Sequence, residues 1–124
     1  MLDLKTITDA RGSLTVIERL PFDINRVYYL HHIDPHATRG GHAHKELRRL
    51  MVAVNGGFSV TIRDGKGYRD IVLDDPTVGL QIEPLEWLEL FNFTPDAVVL
   101  VLASHEHDEA DCIRDFAEFK RLAR

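Results

Sequence analysis

Residues 38–57 read TRGGHAHKELRRLMVAVNGG, and the fold turns on how this stretch is taken. His42 and His44 stand two apart, so on a strand both imidazoles point to the same face. The run LMVAV that follows is apolar and of strand length, and it stops at a turn, Asn55-Gly56-Gly57. The same pattern extends outward in both directions. SLTVIE and RVYYLHHI precede it, and FSVTIR, DIVL, VGLQI, WLELFNF and AVVLVLA follow. Between them lie DGKG (64–67), DDP (74–76) and TPD (94–96), turn residues with turn reasons: Gly and Asn accept positive φ, and Pro presets φ. Turns recurring at roughly ten-residue intervals predict an all-β sandwich or barrel. The tail changes period. From Asp111 it reads DCIRDFAEFKRLAR, where Ile113, Phe116, Phe119 and Leu122 recur every three residues. That spacing predicts one terminal helix packed on the barrel, capped by Asp111, with Lys120, Arg121 and Arg124 at the negative end of its dipole.

The bulk numbers bound what such a domain does. A chain of 124 residues with 44% apolar residues suits one core and is short for two. A net charge of -5 argues against a general nucleic-acid binder, which needs a basic face to neutralise phosphates. It leaves room for a nucleotide ligand, because a few local arginines serve a diphosphate. The single cysteine, Cys112, rules out an intrachain disulfide and a Cys-based metal site. MLDLKTITDARG has neither the basic nor the apolar region of a signal peptide, and no apolar run has the length of a membrane span. The expectation is a cytoplasmic protein without membrane contact.

The chemistry centres on His42 and His44. A Gly before HxH, with an apolar strand and a Gly turn after it, resembles the first motif of the cupins. That motif ends its metal set with a Glu, but its place falls on Arg49, beside Arg48; the later histidine's place falls on Leu88 or Glu89. A metal site wants three or four donors, so two histidines with a cation in the third place argue against a divalent metal, Glu89 being the remaining oxygen. Without metal, a neutral imidazole is a ready base near pH 7, and two rings in one cavity suppress each other's protonation. Arg39 is placed to hold a phosphate or an oxyanion. Alternation in RVYYL puts Arg26, Tyr28 and Leu30 on one face and Val27 and Tyr29 on the other, pairing a cation with a phenol. The bland alternatives are two surface histidines on an edge strand and an amphipathic strand with an exposed arginine. His105 and His107 form a second HxH in the acidic run ASHEHDEAD, which reads as a solvated loop, as do His31, His32 and His36. Trp87 reads as core. No Gly-rich phosphate loop, GxSxG elbow or HExxH occurs.

RGGHAHKELRRLMVAVNG, DDPTVGLQIEPLEWLELFNF, AVVLVLAS and CIRDFAEFK, with the opening GSLTVIE and PFDINRVYYL, resemble the nucleotide-sugar 3,4-ketoisomerases, the WxcM-like cupins that act on dTDP-4-keto-6-deoxyglucose. The resemblance covers nearly the whole chain in order. It implies a single cupin-like ketoisomerase domain over residues 1–124, a jelly-roll barrel with a short C-terminal helix. The implied enzyme is metal-independent, uses no cofactor, and supplies 3-keto sugar for 3-amino-3,6-dideoxysugar biosynthesis. It further implies a homodimer that exchanges N-terminal strands, His42 and His44 as the acid/base pair, and Arg26, Tyr28 and Arg39 lining the sugar and phosphate site. Departures from the family pattern fall at Cys112, where relatives carry an aromatic residue, at His105 and His107, where they carry Asp and Tyr, and at Leu88, often His. Other readings of the same barrel are an epimerase acting on dTDP-sugars, a metal-dependent cupin, and a non-catalytic sugar-binding cupin.

Overall fold

The computed structural model describes residues 1–123, so Arg124, expected at the end of the helix, lies outside them. Two antiparallel five-stranded sheets form the body. The first runs, in spatial order, β1 (Leu2–Asp3), β9 (Val78–Ile82), β6 (Arg49–Asn55), β11 (Val98–Ala103) and β4 (Arg26–Leu30). The second runs β12 (Cys112–Ile113), β5 (Arg39–His44), β10 (Trp87–Phe91), β7 (Phe58–Arg63) and β8 (Tyr68–Leu73). A separate hairpin of β2 (Lys5–Asp9) and β3 (Gly12–Val16) belongs to neither sheet. The architecture is the cupin-type jelly-roll barrel that the turn spacing and the HxH motif imply.

Apolar side chains of both sheets fill the barrel. Met51, Val60, Ile62, Leu80, Leu88 and Val101 are among the fully buried members of this core. The outer face of the first sheet is covered as well. Leu50, Val52 and Leu102 pack there against Leu4, Ile17 and Phe22 from the N-terminal segment. β6 is therefore buried on both faces along most of its length, which explains why its sequence does not alternate.

The tail differs from the helix expected from its spacing. Cys112 and Ile113 form β12, paired with His44 and Ala43, and the helix α1 spans Phe116–Leu122 with Asp115, not Asp111, as its cap. Ile113 is reached by a strand and Phe119 by a helix, yet both bury beside Ala43 and Trp87. A three-residue apolar repeat cannot distinguish the two routes. The buried Trp87 agrees with its reading as core.

Candidate active site

β5 places the two histidines. Ala43 points outward onto α1, so its neighbours His42 and His44 point the other way, toward the barrel interior. Two glycines aim the strand: Gly40 and Gly41 have φ of +92° and +74°, and a Cβ on Gly40 would sit 2.5 Å from the Leu88 carbonyl oxygen. That close approach coincides with a bulge, where His42 pairs with Leu88 but Gly40 with Glu89. The far end of β5 is held by its neighbours. The Leu85 N–H donates to the His44 carbonyl at 2.7 Å, from a residue with φ of +59°. Asp111 accepts from the Glu46 and Leu47 N–H groups at 2.9 and 3.2 Å.

The imidazoles of His42 and His44 lie edge to face with centroids 5.3 Å apart. Nδ1 of each is buried without a hydrogen-bond partner. His44 Nδ1 does approach Asp111 Oδ2 to 3.3 Å. Burial, and next the Arg49 guanidinium, hold His42 below its ordinary pKa. Burial, Arg49 and then His42 push His44 down to about 4, against the opposing pull of Asp111. Both rings are therefore neutral at pH 7, each with a lone pair to accept a proton.

Two cavities flank the pair. One, of about 90 Å³, is lined by Tyr28, Arg39, His42, Arg49 and apolar barrel residues. The other, of about 50 Å³, is lined by Arg26, His44, Asp111 and the loop residues His105 and His107. The Arg26 guanidinium stacks 4.5 Å over the Tyr28 ring and so joins the two sides. All five residues singled out in the sequence border one cavity or the other, and β4 alternates as read, with Val27 and Tyr29 outward.

Further residues belong to the same place. His105 and His107 belong to an exposed loop, as their acidic surroundings suggest, but they also border the His44 cavity. Ser104 anchors that loop, its hydroxyl bonded to His105 Nδ1 at 2.7 Å and accepting from the Arg48 N–H at 2.9 Å. Arg49, read only as the residue that spoils a metal site, is 3% exposed and lines the cavity of His42. Arg49 opens β6, and an arginine directly before the apolar run Leu50–Val54 was the signal for it. These side chains do not fit a divalent metal. Among the described residues no three His, Cys, Asp or Glu converge to hold one, and a metal at the histidine pair would meet the Arg49 cation.

An apolar barrel with a histidine pair, a phenol and three arginines around its cavities defines a cupin enzyme. The chain belongs to the FdtA family, described as WxcM-like, C-terminal, whose sequence pattern matches residues 1–124. It is 43% identical over 124 residues to the TDP-4-oxo-6-deoxy-alpha-D-glucose-3,4-oxoisomerase of Aneurinibacillus thermoaerophilus, covering 98% of this chain and 89% of that protein. Among solved structures it is similar to QdtA, a sugar 3,4-ketoisomerase from Thermoanaerobacterium thermosaccharolyticum solved with TDP. The TM-score is 0.95 at 43% identity, over 98% of this chain and 90% of QdtA. It is likewise similar to WlaRB, a TDP-quinovose 3,4-ketoisomerase from Campylobacter jejuni, with a TM-score of 0.93 at 43% identity over 97% and 95% of the two chains.

Proposed function

We propose that this protein converts dTDP-4-keto-6-deoxyglucose into the corresponding 3-keto sugar, acting in the cytoplasm in 3-amino-3,6-dideoxysugar biosynthesis, and that residues 1–124 work as one ketoisomerase domain. The observation that carries the reading is the pair of neutral imidazoles 5.3 Å apart, with Tyr28 and Arg39 in the same cavity as His42.

His42 or His44 takes the C3 proton, and the C3–H electron pair becomes the C3=C4 bond while the carbonyl π pair moves to O4. The O3 proton then passes to O4. The carbonyl re-forms at C3 as the C3=C4 pair takes the proton back at C4. No electron leaves the sugar, so the step needs no redox partner. One histidine serves carbon and the other the oxygens. Arg26, Tyr28 and Arg39 hold the sugar and diphosphate, and the apolar barrel wall strengthens these contacts by excluding water.

The same reading makes the protein a homodimer that exchanges N-terminal strands. Its support is the β2–β3 hairpin, which pairs with neither sheet and leaves Ile7 and Leu14 more than half exposed, at 54% and 58%.

The test is a proton NMR time course of EDTA-treated protein with dTDP-4-keto-6-deoxyglucose in heavy water. Deuterium entering the ring together with 3-keto product is expected. Replacing either histidine by Asn is expected to slow turnover by about 10²–10⁴-fold with little loss of dTDP binding. Exchange without a moved carbonyl would instead mean epimerase chemistry, and full activity in both Asn variants would refute the assignment of the pair.

A further inference from the structure

Arg49 presents a problem that folding alone does not explain. It lies on β6, whose neighbours Leu50 to Ala53 are all buried and apolar. Arg49 is 3% exposed, its Nε–H has no acceptor, and it enters no ion pair among the described residues. Burial opposes its charge, while the Tyr28 phenol beside it and, more weakly, Cys112 and Glu86 favour it. A guanidinium does not escape the cost by deprotonating, so this is a permanent cation facing a small cavity without an anion. Its orphaned Nε–H is a preset hydrogen-bond donor. His42, one of the two candidate bases, lines the same cavity.

Resting on the ketoisomerase reading, we propose that Arg49 is a catalytic residue that binds the enediolate: its guanidinium donates to the sugar oxygen that carries the negative charge, first O4 and then O3. Donors aimed at charge that develops only in the transition state, in a site with little water, accelerate the chemical step more than they tighten substrate binding. Arg49 has a second effect that follows from its position. As a cation beside both rings it disfavours imidazolium in the resting enzyme, as Arg114 does more weakly at His42, while Asp111 at His44 and Glu109 at His42 favour it. One group thus keeps the base free and stabilises the anion which that base generates. It also separates its role from those proposed for Arg26 and Arg39, which hold the substrate before and after reaction alike.

Three proteins decide the matter: wild type, Arg49→Gln and Arg49→Lys, each checked for a cooperative thermal transition and for dTDP binding. Arg49→Gln is expected to lower kcat by about 10²–10³-fold with KM little changed. It is also expected to move the acid limb of the pH–rate profile upward, because the histidines regain basicity. Arg49→Lys keeps a cation only where the buried ammonium holds its proton, and an acid limb near the wild-type position reports that it does; kcat is then expected to recover in part. If Arg49 were only a packing element, both variants would lose stability and neither would move the limb. A wild type that turns over while Arg49→Gln keeps its kcat and its limb overturns this role and leaves the ketoisomerase reading intact. A wild type inert toward the sugar overturns that reading and this role with it. Should Arg49→Gln fail to fold, the Lys variant decides: activity below about one-hundredth of wild type with an unmoved limb and normal folding would overturn the electrostatic account.

Discussion

Acidification from pH 7 to pH 5 should destabilise this protein through His44, and His44→Asn should remove that sensitivity. The unfolded chain protonates this ring at its ordinary value of 6.5, whereas the folded site holds it to about 4. Protons therefore favour the unfolded state. The stability is present in full above 6.5, is lost as pH falls between 6.5 and 4, and stops changing below that window. At 1.36 kcal/mol per unit, the loss attributable to this group is about 0.2 kcal/mol at pH 7 and about 2 kcal/mol at pH 5. The side chain keeps 12% of its exposure and borders a cavity open to the His105–His107 loop, and screening by solvent there reduces the expected difference between the two pH values to about 1–1.5 kcal/mol. Urea denaturation of wild type and His44→Asn at pH 7, 6 and 5 measures it, at fixed ionic strength and fixed protein concentration so that association contributes equally. The two stabilities should converge or cross as pH falls, with wild type losing the larger amount. Parallel curves, agreeing in slope within about 0.3 kcal/mol, would show that the barrel does not hold His44 neutral. The neutral-base argument would then fall.

Gly40→Ala should cost about 2–4 kcal/mol in thermal denaturation, because a Cβ at φ +92° would press 2.5 Å from the Leu88 carbonyl oxygen, and activity should fall with it as β5 shifts. An unchanged melting temperature would mean that the bulge does not depend on glycine. Phe119→Ala should cost about 3–5 kcal/mol and redden the Trp87 fluorescence, since it empties the packing beneath Ala43. Leu14→Glu should shift the protein toward monomer in sedimentation velocity; a variant that sediments like wild type would count against the exchange of N-terminal strands.

Much of this was legible in the chain because it is local. The HAH spacing and the alternation of RVYYL each fix which side chains share a face from a few consecutive residues, and the structure keeps both pairings. What was not legible depends on partners far away in sequence. β2 escaped notice because the hairpin has no buried face to imprint a pattern on Lys5–Asp9. β12 is two residues long, too short for any period, and exists because His44 and Ala43 offer an edge. Asp111 reads as a cap by residue type, yet its carboxylate goes to the turn after β5, more than sixty residues back. Arg49 is the clearest case. Its strand shows that it is unusual, but only the barrel, by bringing β4 and β5 around it, reveals the cavity it faces.

The two-residue strand β12 has a consequence for how this enzyme comes into being. It supplies the outer edge of the histidine strand, and Asp111 just before it anchors the following turn. Both follow every other strand of the barrel in the order of synthesis. A growing chain on the ribosome thus keeps the His44 end of β5 as an open edge until the tail emerges, while the glycine-rich start of the strand already has β10 as its partner. Closing the barrel edge and bracing the histidine strand are one late event, and a chain interrupted before Asp111 would have most of its sheets and a histidine pair without its outer support.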